Sequence, residues 1–583
     1  MNMDPDPGVT ELDSPADDPD RQIEEHGSDS MLLLVPTGRR LISGLLGLNV
    51  VLLGAALVVG HALNPVGLNN QESRVFMLLL MGVSMLWMLW YLLWARRQPG
   101  FSPHKDHHAG GGPVTFVVHV FAVFSLLLYI CKIGYFISMR ECKPAAKVLS
   151  PFIEAPFLAL QVLIYPPSAL FSYTMICQVN RSKDCMHTHK IMTRIGLMLI
   201  LSADLLLWLN AVTEETIHEE IEAEEEGSLL FQSKNSSEVD TSDLEGAANS
   251  TFCHCRGTAG CLAFRKAIEV LHPFHMEYYL MAGCMIYVMW KNVGRRINPG
   301  HHHVAHKLTL QVVCESRIFY GLIFGGLVLL VGVTIFILYQ IFVDLPHLRL
   351  TAFLLFYGYH LAIMPLMCLC CLAGMLVHWL ERRASEGEHN PTRSLDVMLL
   401  LAAALGQLIL SYFSLVAASA VGTEGLLGGL DLSYSLLSLL QLVLQNIFII
   451  KGLHRHPSRF NKKKEKQWSS KFKKKKAADP TQEERKTEIS LLEGKTSDTA
   501  IEHDGKKPWM KTAIKEICVF LIFSNIMLWI IPAFGVHPQF ENGIGKRFFG
   551  FSAWFVLVNL GQPLSVFYRM HSVGALMELF LNA

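Results

Sequence analysis

The stretch Leu199–Val212 reads LILSADLLLWLNAV, and Phe520–Ala533 reads FLIFSNIMLWIIPA. The first is an apolar helix with a carboxylate, Asp204, at its middle. A charged group at that depth in a bilayer costs about 3 kcal/mol or more, so it faces a bundle interior or water and usually serves a function. In the second stretch Asn525 takes the place of Asp204. Trp529, four residues on, takes the place of Trp208. Two copies of one helix, one acidic and one neutral, predict a duplicated membrane protein whose halves have diverged.

Composition agrees. Of 583 residues, 51% are hydrophobic and 17% charged, with mean hydropathy +0.33. Soluble domains carry roughly a quarter charged residues. The net charge is zero, so whole-chain charge says nothing about partners and gives no reason to expect nucleic acid. Residues 1–40 hold ten Asp or Glu. They read as a disordered acidic segment, without the basic start and apolar core of a cleavable signal peptide. The 13 cysteines lie mostly in apolar segments without metal-ligand spacing, as buried thiols do.

A spanning helix needs about 20 mostly apolar residues. Twelve stretches qualify: 41–63, 74–95, 114–137, 148–179, 192–213, 271–292, 316–343, 350–380, 395–418, 432–453, 513–534 and 549–574. The fold class is therefore all-α and polytopic. The fourth stretch contains Pro166–Pro167 and is too long for one straight crossing, so a kink or an overrun is expected there. Arg and Lys crowd the loops after the second, fourth, sixth, eighth and tenth spans, for example Arg96, Arg97, Arg382 and Arg383. The positive-inside rule then places both termini and these loops in the cytoplasm. The loop after the fifth span carries the sequons Asn235-Ser-Ser and Asn249-Ser-Thr. Only a lumenal or extracellular loop can use them, and the charge rule puts it there. Its Cys253, Cys255 and Cys261 can pair among themselves or with Cys142.

The halves echo each other in order. Arg40-x3-Gly44 matches Arg317-x3-Gly321, and arginine pairs end the second and eighth spans. Glu154 and Gln161 lie seven apart in the fourth span, as Tyr434 and Gln441 do in the tenth. Six spans per half make the repeat parallel, about an axis along the membrane normal. The expected units are residues 41–295, with an acidic outer loop over 214–269, and residues 296–583. The second unit contains a cytoplasmic linker over 454–512. That linker is rich in lysine, including Lys462, Lys463, Lys464, Lys466, Lys473, Lys474, Lys475 and Lys476. Beside a membrane such a cluster contacts anionic lipid headgroups; a solvated tail that helps set topology is the bland alternative.

No P-loop, glycine-rich dinucleotide turn or HExxH motif is present in the sequence, so no enzyme activity and no cofactor are expected. His301–His303 with His306 read as a polar loop before a metal site. The polar residues inside the spans carry the stronger signal. Asp204, Glu277, His119, His360 and His571 are of the kinds from which proton relays are built. Glu277 stands out because a buried carboxyl can exchange a proton. Scattered single groups suit protons better than metal cations, which need a ring of oxygens. Each also has a structural reading: Asp204 fixing register, Gln161 and Gln441 as interhelical glue, and His119 and His360 as packing residues. Eight glutamates from Glu214 to Glu226 would concentrate cations at an outer mouth, or form a solvated loop.

Several motifs resemble the otopetrin family of proton channels. They are Tyr287-Val-Met-Trp-Lys-Asn-Val-Gly-Arg295, Ser316-Arg-Ile-Phe-Tyr-Gly321, Arg393-Ser-Leu-Asp396, Leu405-Gly-Gln407, Gln445-Asn-Ile-Phe-Ile-Ile450, Gly452-Leu-His454 and Tyr568-Arg-Met-His-Ser572. The resemblance implies a plasma-membrane homodimer of twelve-helix subunits that conducts protons inward when the outside is acidic. It also implies inhibition by zinc, whose ligands it does not identify. Membrane lipids, anionic headgroups and sterol, are the other expected partners. Carried over by position, the first half's constriction set is Gln161, Asp204 and Asn210. The second half's is Gln441 and Asn525. Glu277 and His571 match family positions implicated in permeation. One departure stands out: LIYPPSALFSYTM after Gln161 lengthens the family pattern and would shift Gln161 away from the constriction. The competing reading is a proton-coupled secondary transporter, which would show matching Gly/Pro breaks in both halves.

Overall fold

The fold is described by a computed structural model covering residues 37–63, 71–94, 112–138, 145–164, 190–235, 259–293, 318–343, 345–380, 391–421, 426–454, 508–538 and 543–582. The first six helices are α1 (Thr37–Leu63), α2 (Gln71–Leu93), α3 (Gly112–Ser138), α4 (Ala145–Ile164), α5 (Lys190–Asn235) and α6 (Ala259–Asn292). Next come α7 (Tyr320–Val343), α8 (Arg349–Leu380), α9 (Pro391–Val421), α10 (Leu426–Leu453), α11 (Pro508–Ala533), the short α12 (Ile544–Phe549) and α13 (Phe551–Asn582). No strand forms among the described residues. A chain in lipid must satisfy its backbone internally, and a helix does so within one segment.

Among the described residues, nine helices are long and apolar enough to cross a membrane: α1, α2, α3, α5 and α7 to α11. The other long helices fall short for identifiable reasons. The apolar part of α4 is limited to Val148–Ile164. α6 carries His275 and Glu277, and α13 carries Ser565 and Arg569, all buried. These polar side chains lower the hydropathy of helices that face protein.

The packing pattern recurs along the chain. α1 packs on α2 and α5, α2 on α4 and α5, and α3 on α4 and α6; α5 also packs on α6. Every one of these pairings returns six helices later, with α13 in the place of a sixth helix: α7 with α8 and α11, α8 with α10 and α11, α9 with α10 and α13, and α11 with α13. The two groups meet where α13 touches α3, α5 and α6, and where α9 touches α6. α7 turns Leu322, Phe324, Leu327 and Leu330 outward, whereas Gln161, Asp204, Gln441 and Asn525 have no exposed surface at all. Apolar outside and polar inside is the arrangement suited to lipid.

Small residues set the closest contacts. A Cβ on Gly406 of α9 would lie 2.3 Å from Leu564 Cβ and 3.1 Å from the Gly561 carbonyl oxygen of α13. At the start of α7, the Glu516 carboxylate of α11 accepts from Phe319 N at 2.8 Å and from Gly321 N. It satisfies two of the orphan N–H groups at that helix end.

Two boundaries differ from the sequence expectation, and a third falls at the edge of the described residues. The described part of α4 ends at Ile164, and the remainder of the expected 148–179 span lies outside the described residues. α5 does not stop at 213 but continues to Asn235, because Glu and Ala are strong helix formers. α6 starts at Ala259, not 271, and its early part carries Glu269 paired with Arg265 and Lys266 one turn away. Much of the expected 214–269 loop is therefore helix.

Candidate functional site

In the first half, three helices bring polar groups to one buried point. Gln161 of α4 donates from Nε2 to Asp204 Oδ2 of α5 at 2.6 Å. Tyr278 of α6 donates its hydroxyl to Gln161 Oε1 at 3.1 Å. Asp204 Oδ1 is buried and has no hydrogen-bond partner among the described residues. The longer stretch after Gln161 therefore does not move this residue away from Asp204, because α4 ends beyond Gln161 and keeps its face toward α5. Asn210 is half-buried. Six residues on, about 9 Å along the axis, it does not join the group. A second polar group lies beside the first: the Tyr129 hydroxyl of α3 is bonded to the Tyr279 hydroxyl and sits 3.2 Å from His275 Nε2. Glu154, seven residues before Gln161 on α4, lies beside Tyr129.

In the second half, Gln441 and Gln445, one turn apart on α10, share a bond of 2.8 Å. Asn525 of α11 donates to Gln445 Oε1 at 2.9 Å and accepts from Gln445 Nε2 at 3.2 Å. Arg569 of α13 donates from Nη1 to Gln441 Oε1 at 2.8 Å and to Asn525 Oδ1 at 3.4 Å. Tyr568 bonds Asn446 at 3.2 Å. Sequence reasoning placed Gln441 and Asn525 here but missed Arg569 and the bridging role of Gln445. The signal was available: an arginine inside the apolar run of α13 is as costly as Asp204. His571 is half-buried against Phe567, its Nδ1 without a partner, and it stands outside this network.

A third polar point lies between the groups. Trp529 of α11 donates from its indole Nε1 to Glu277 Oε1 of α6 at 3.1 Å. Phe121 and Phe274 pack on Trp529 with ring centroids 5.9 and 5.5 Å away. Glu277 Oε2 is buried and unpartnered.

The two bundles differ in charge. The first centre holds a carboxyl among neutral groups; the second holds a guanidinium among amides and a phenol. No group of three or more His, Cys, Asp or Glu able to hold a metal ion occurs among the described residues. Glu214, first of the eight expected at an outer mouth, is ion-paired with Arg74 of α2. Cys261 is disulfide-bonded. Asn249, the lysines from Lys462 to Lys476 and the side chain of Asn235 lie outside the described residues.

Fold and site together define a multi-pass helical membrane protein with acids and amides buried inside its helix bundles. The otopetrin family model matches residues 117–469 and 494–570, and the chain belongs to that family. It is similar to the human "Proton channel OTOP3", with 39% identity over 93% of this chain and 85% of the relative. It is 36% identical to the Mus musculus "Proton channel OTOP2" over 93% and 95%, and 29% identical to the Danio rerio "Proton channel OTOP1" over 93% and 90%.

Proposed function

We propose that this protein is a proton-selective channel of the plasma membrane that carries protons into the cell when the outside is acidified. The observation that carries this reading is the Asp204 carboxyl, fully buried, held by Gln161 and backed by Tyr278. A carboxyl with one oxygen bonded and the other unpartnered can accept and release a proton, and among the described residues no group of three His, Cys, Asp or Glu stands there to hold a metal cation instead. The names of the relatives support the same reading. Polar constrictions then form at Gln161–Asp204, with Asn210 further along α5, and at Gln441–Asn525; Glu277 and His571 act on permeation from α6 and α13.

The architecture under this proposal is twelve crossings in two parallel six-helix repeats, with both termini cytoplasmic, in a homodimer. The recurrence of every helix pairing six helices later supports the repeat. The disulfide at Cys261 supports an outer location for the segment after α5, because disulfides persist in oxidising compartments. Asn235 and Asn249 are its glycosylation sites, and Lys462–Lys476 contact anionic headgroups. The rival reading is a coupled transporter: Pro151 and Pro156 of α4 have no counterpart in α10, but Pro273 of α6 and Pro563 of α13 stand in matching helices, so a requirement for solute is what separates the two readings.

The test is whole-cell current during an extracellular pH step, with large impermeant ions replacing Na⁺ and Cl⁻. The expected result is an inward current whose reversal potential follows the proton gradient, without added solute. A current that requires a solute would overturn the channel reading.

A further inference from the structure

The second bundle holds a cavity of about 40 Å³ that runs from the turn after α11 to Arg569 at the middle of α13. A water-sized particle needs about 10–15 Å³ of such space, so roughly three fit. Among the described residues no Asp or Glu lines the cavity, and Arg569 supplies the one permanent charge. Arg569 is 3% exposed. Both its hydrogen bonds leave from Nη1. Nε and Nη2 bond no protein atom among the described residues, and no ion pair balances the charge there. Asp431, one turn before Ser435 on α10, accepts from Tyr357 and does not line the cavity. A second wall group is also unsatisfied: the Ser435 hydroxyl, on a residue 1% exposed, has no hydrogen-bond partner among the described residues.

The other polar wall groups are neutral or already engaged. Gln407 donates to Ser438 at 3.0 Å and accepts from Ser565. His360 Nδ1 is bonded to the Phe356 carbonyl at 2.8 Å, and Gln562 Nε2 to His537 Nδ1 at 3.1 Å. A guanidinium removed from water without a counter-charge is strongly unfavourable unless something in the cavity neutralises it. We infer that this cavity is a binding site for a small monovalent anion of halide size, held by the free edge of Arg569 and the Ser435 hydroxyl. An anion there compensates the buried charge and pins α13 to α10. Arg569 also bonds Gln441 and Asn525, so the anion would lie beside the second proposed constriction; the inference itself does not require that protons cross there.

The test uses the full-length protein in lipid nanodiscs, with no pH gradient. Thermal unfolding is followed as chloride replaces methanesulfonate at constant ionic strength. The expected result is a saturable rise in melting temperature with chloride, which bromide reproduces. Arg569→Gln weakens the apparent affinity about tenfold or more, the equivalent of one lost charge-assisted hydrogen bond. Ser435→Asp supplies a tethered carboxylate and abolishes the chloride response while keeping or raising the melting temperature; it serves also if Arg569→Gln fails to fold. A wild-type melting temperature indifferent to the identity of the anion means a water-filled cavity only and overturns the inference. So does an unchanged chloride response in Ser435→Asp. Because no current is read, the outcome is separate from that of the pH-step experiment.

Discussion

Trp529 Nε1 donates to Glu277 Oε1 across 3.1 Å, and the two residues belong to different bundles. Trp208, which the repeated sequence places opposite Trp529, has a buried indole N–H without a partner. Of the two similar stretches, one thus bonds across the two groups of helices through its tryptophan, and the other does not. Glu277→Gln keeps an acceptor for the indole and removes the exchangeable carboxyl. We expect near-normal surface density and loss of most of the acid-evoked current. Trp529→Phe keeps the ring but strips Glu277 of its donor, a loss worth about 1–3 kcal/mol of stability. Surface biotinylation beside patch-clamp recording separates the two effects, and a full current in Glu277→Gln would remove this residue from the proton path.

Asp204→Asn leaves an oxygen to accept from Gln161 and preserves shape. Under the proposed function it abolishes or strongly reduces current without loss of assembly. Gln161→Leu acts differently, leaving a buried carboxyl with neither oxygen bonded, which costs about 1–3 kcal/mol or more. The double change Gln161→Leu with Asp204→Leu should be more stable than Gln161→Leu alone, since replacing both partners by apolar groups is nearly neutral. Melting temperatures of the purified variants read this coupling; strict additivity would mean that the 2.6 Å contact contributes nothing.

Much of this was legible in the sequence because the membrane simplifies the code. Apolar length marked the helices, and Asp204 and Asn525 announced themselves by their cost in lipid. Which polar residues meet was not legible. Gln161 and Asp204 are 43 residues apart and Glu277 and Trp529 are 252 apart, and only packing of α4 on α5's bundle and of α11 near α6 brings them together. Arg569 was in view as part of a motif yet went unread as a buried charge. Helix ends differ where charged but helix-favouring residues, such as Glu214–Glu226, carry a helix past its apolar span. Asn210 and His571 share helices with the polar clusters, but helical phase turns them elsewhere.

The α9–α13 contact makes a prediction about assembly. At Gly406 an added methyl meets Leu564 Cβ at 2.3 Å and the Gly561 carbonyl oxygen at 3.1 Å, atoms that cannot swing away as a side-chain tip can. Gly406→Ala should force the helices apart and cost about 1–3 kcal/mol. Gly326→Ala is the control, with nothing within 4 Å of the new methyl. Detergent-solubilised melting should fall for the first and hold for the second; equal melting would mean the helices are less closely packed than described.

His537 lies in the turn after α11, outside the membrane-spanning helices, and bonds Gln562 of α13. Burial pushes its pKa down from the usual 6.5 to about 4, since the charged imidazolium loses its water. The other titratable side chains on the same cavity wall are His360, Tyr434 and Arg569. The sign follows from proton counting. Between about pH 6.5 and 4 the unfolded histidine is protonated and the native one is not, so the unfolded state holds more protons and stability rises with pH. His537 therefore contributes fully above pH 6.5, and its contribution is lost as pH falls toward 4. Other groups titrate in the same window, so the informative quantity is a difference between variants. His537→Gln keeps a polar side chain that can bond Gln562 and has no proton to gain. The wild-type melting temperature should drop more than that of His537→Gln between pH 7.5 and 4.5. An equal drop in both proteins would mean that the turn admits water and that the imidazole titrates at its ordinary value.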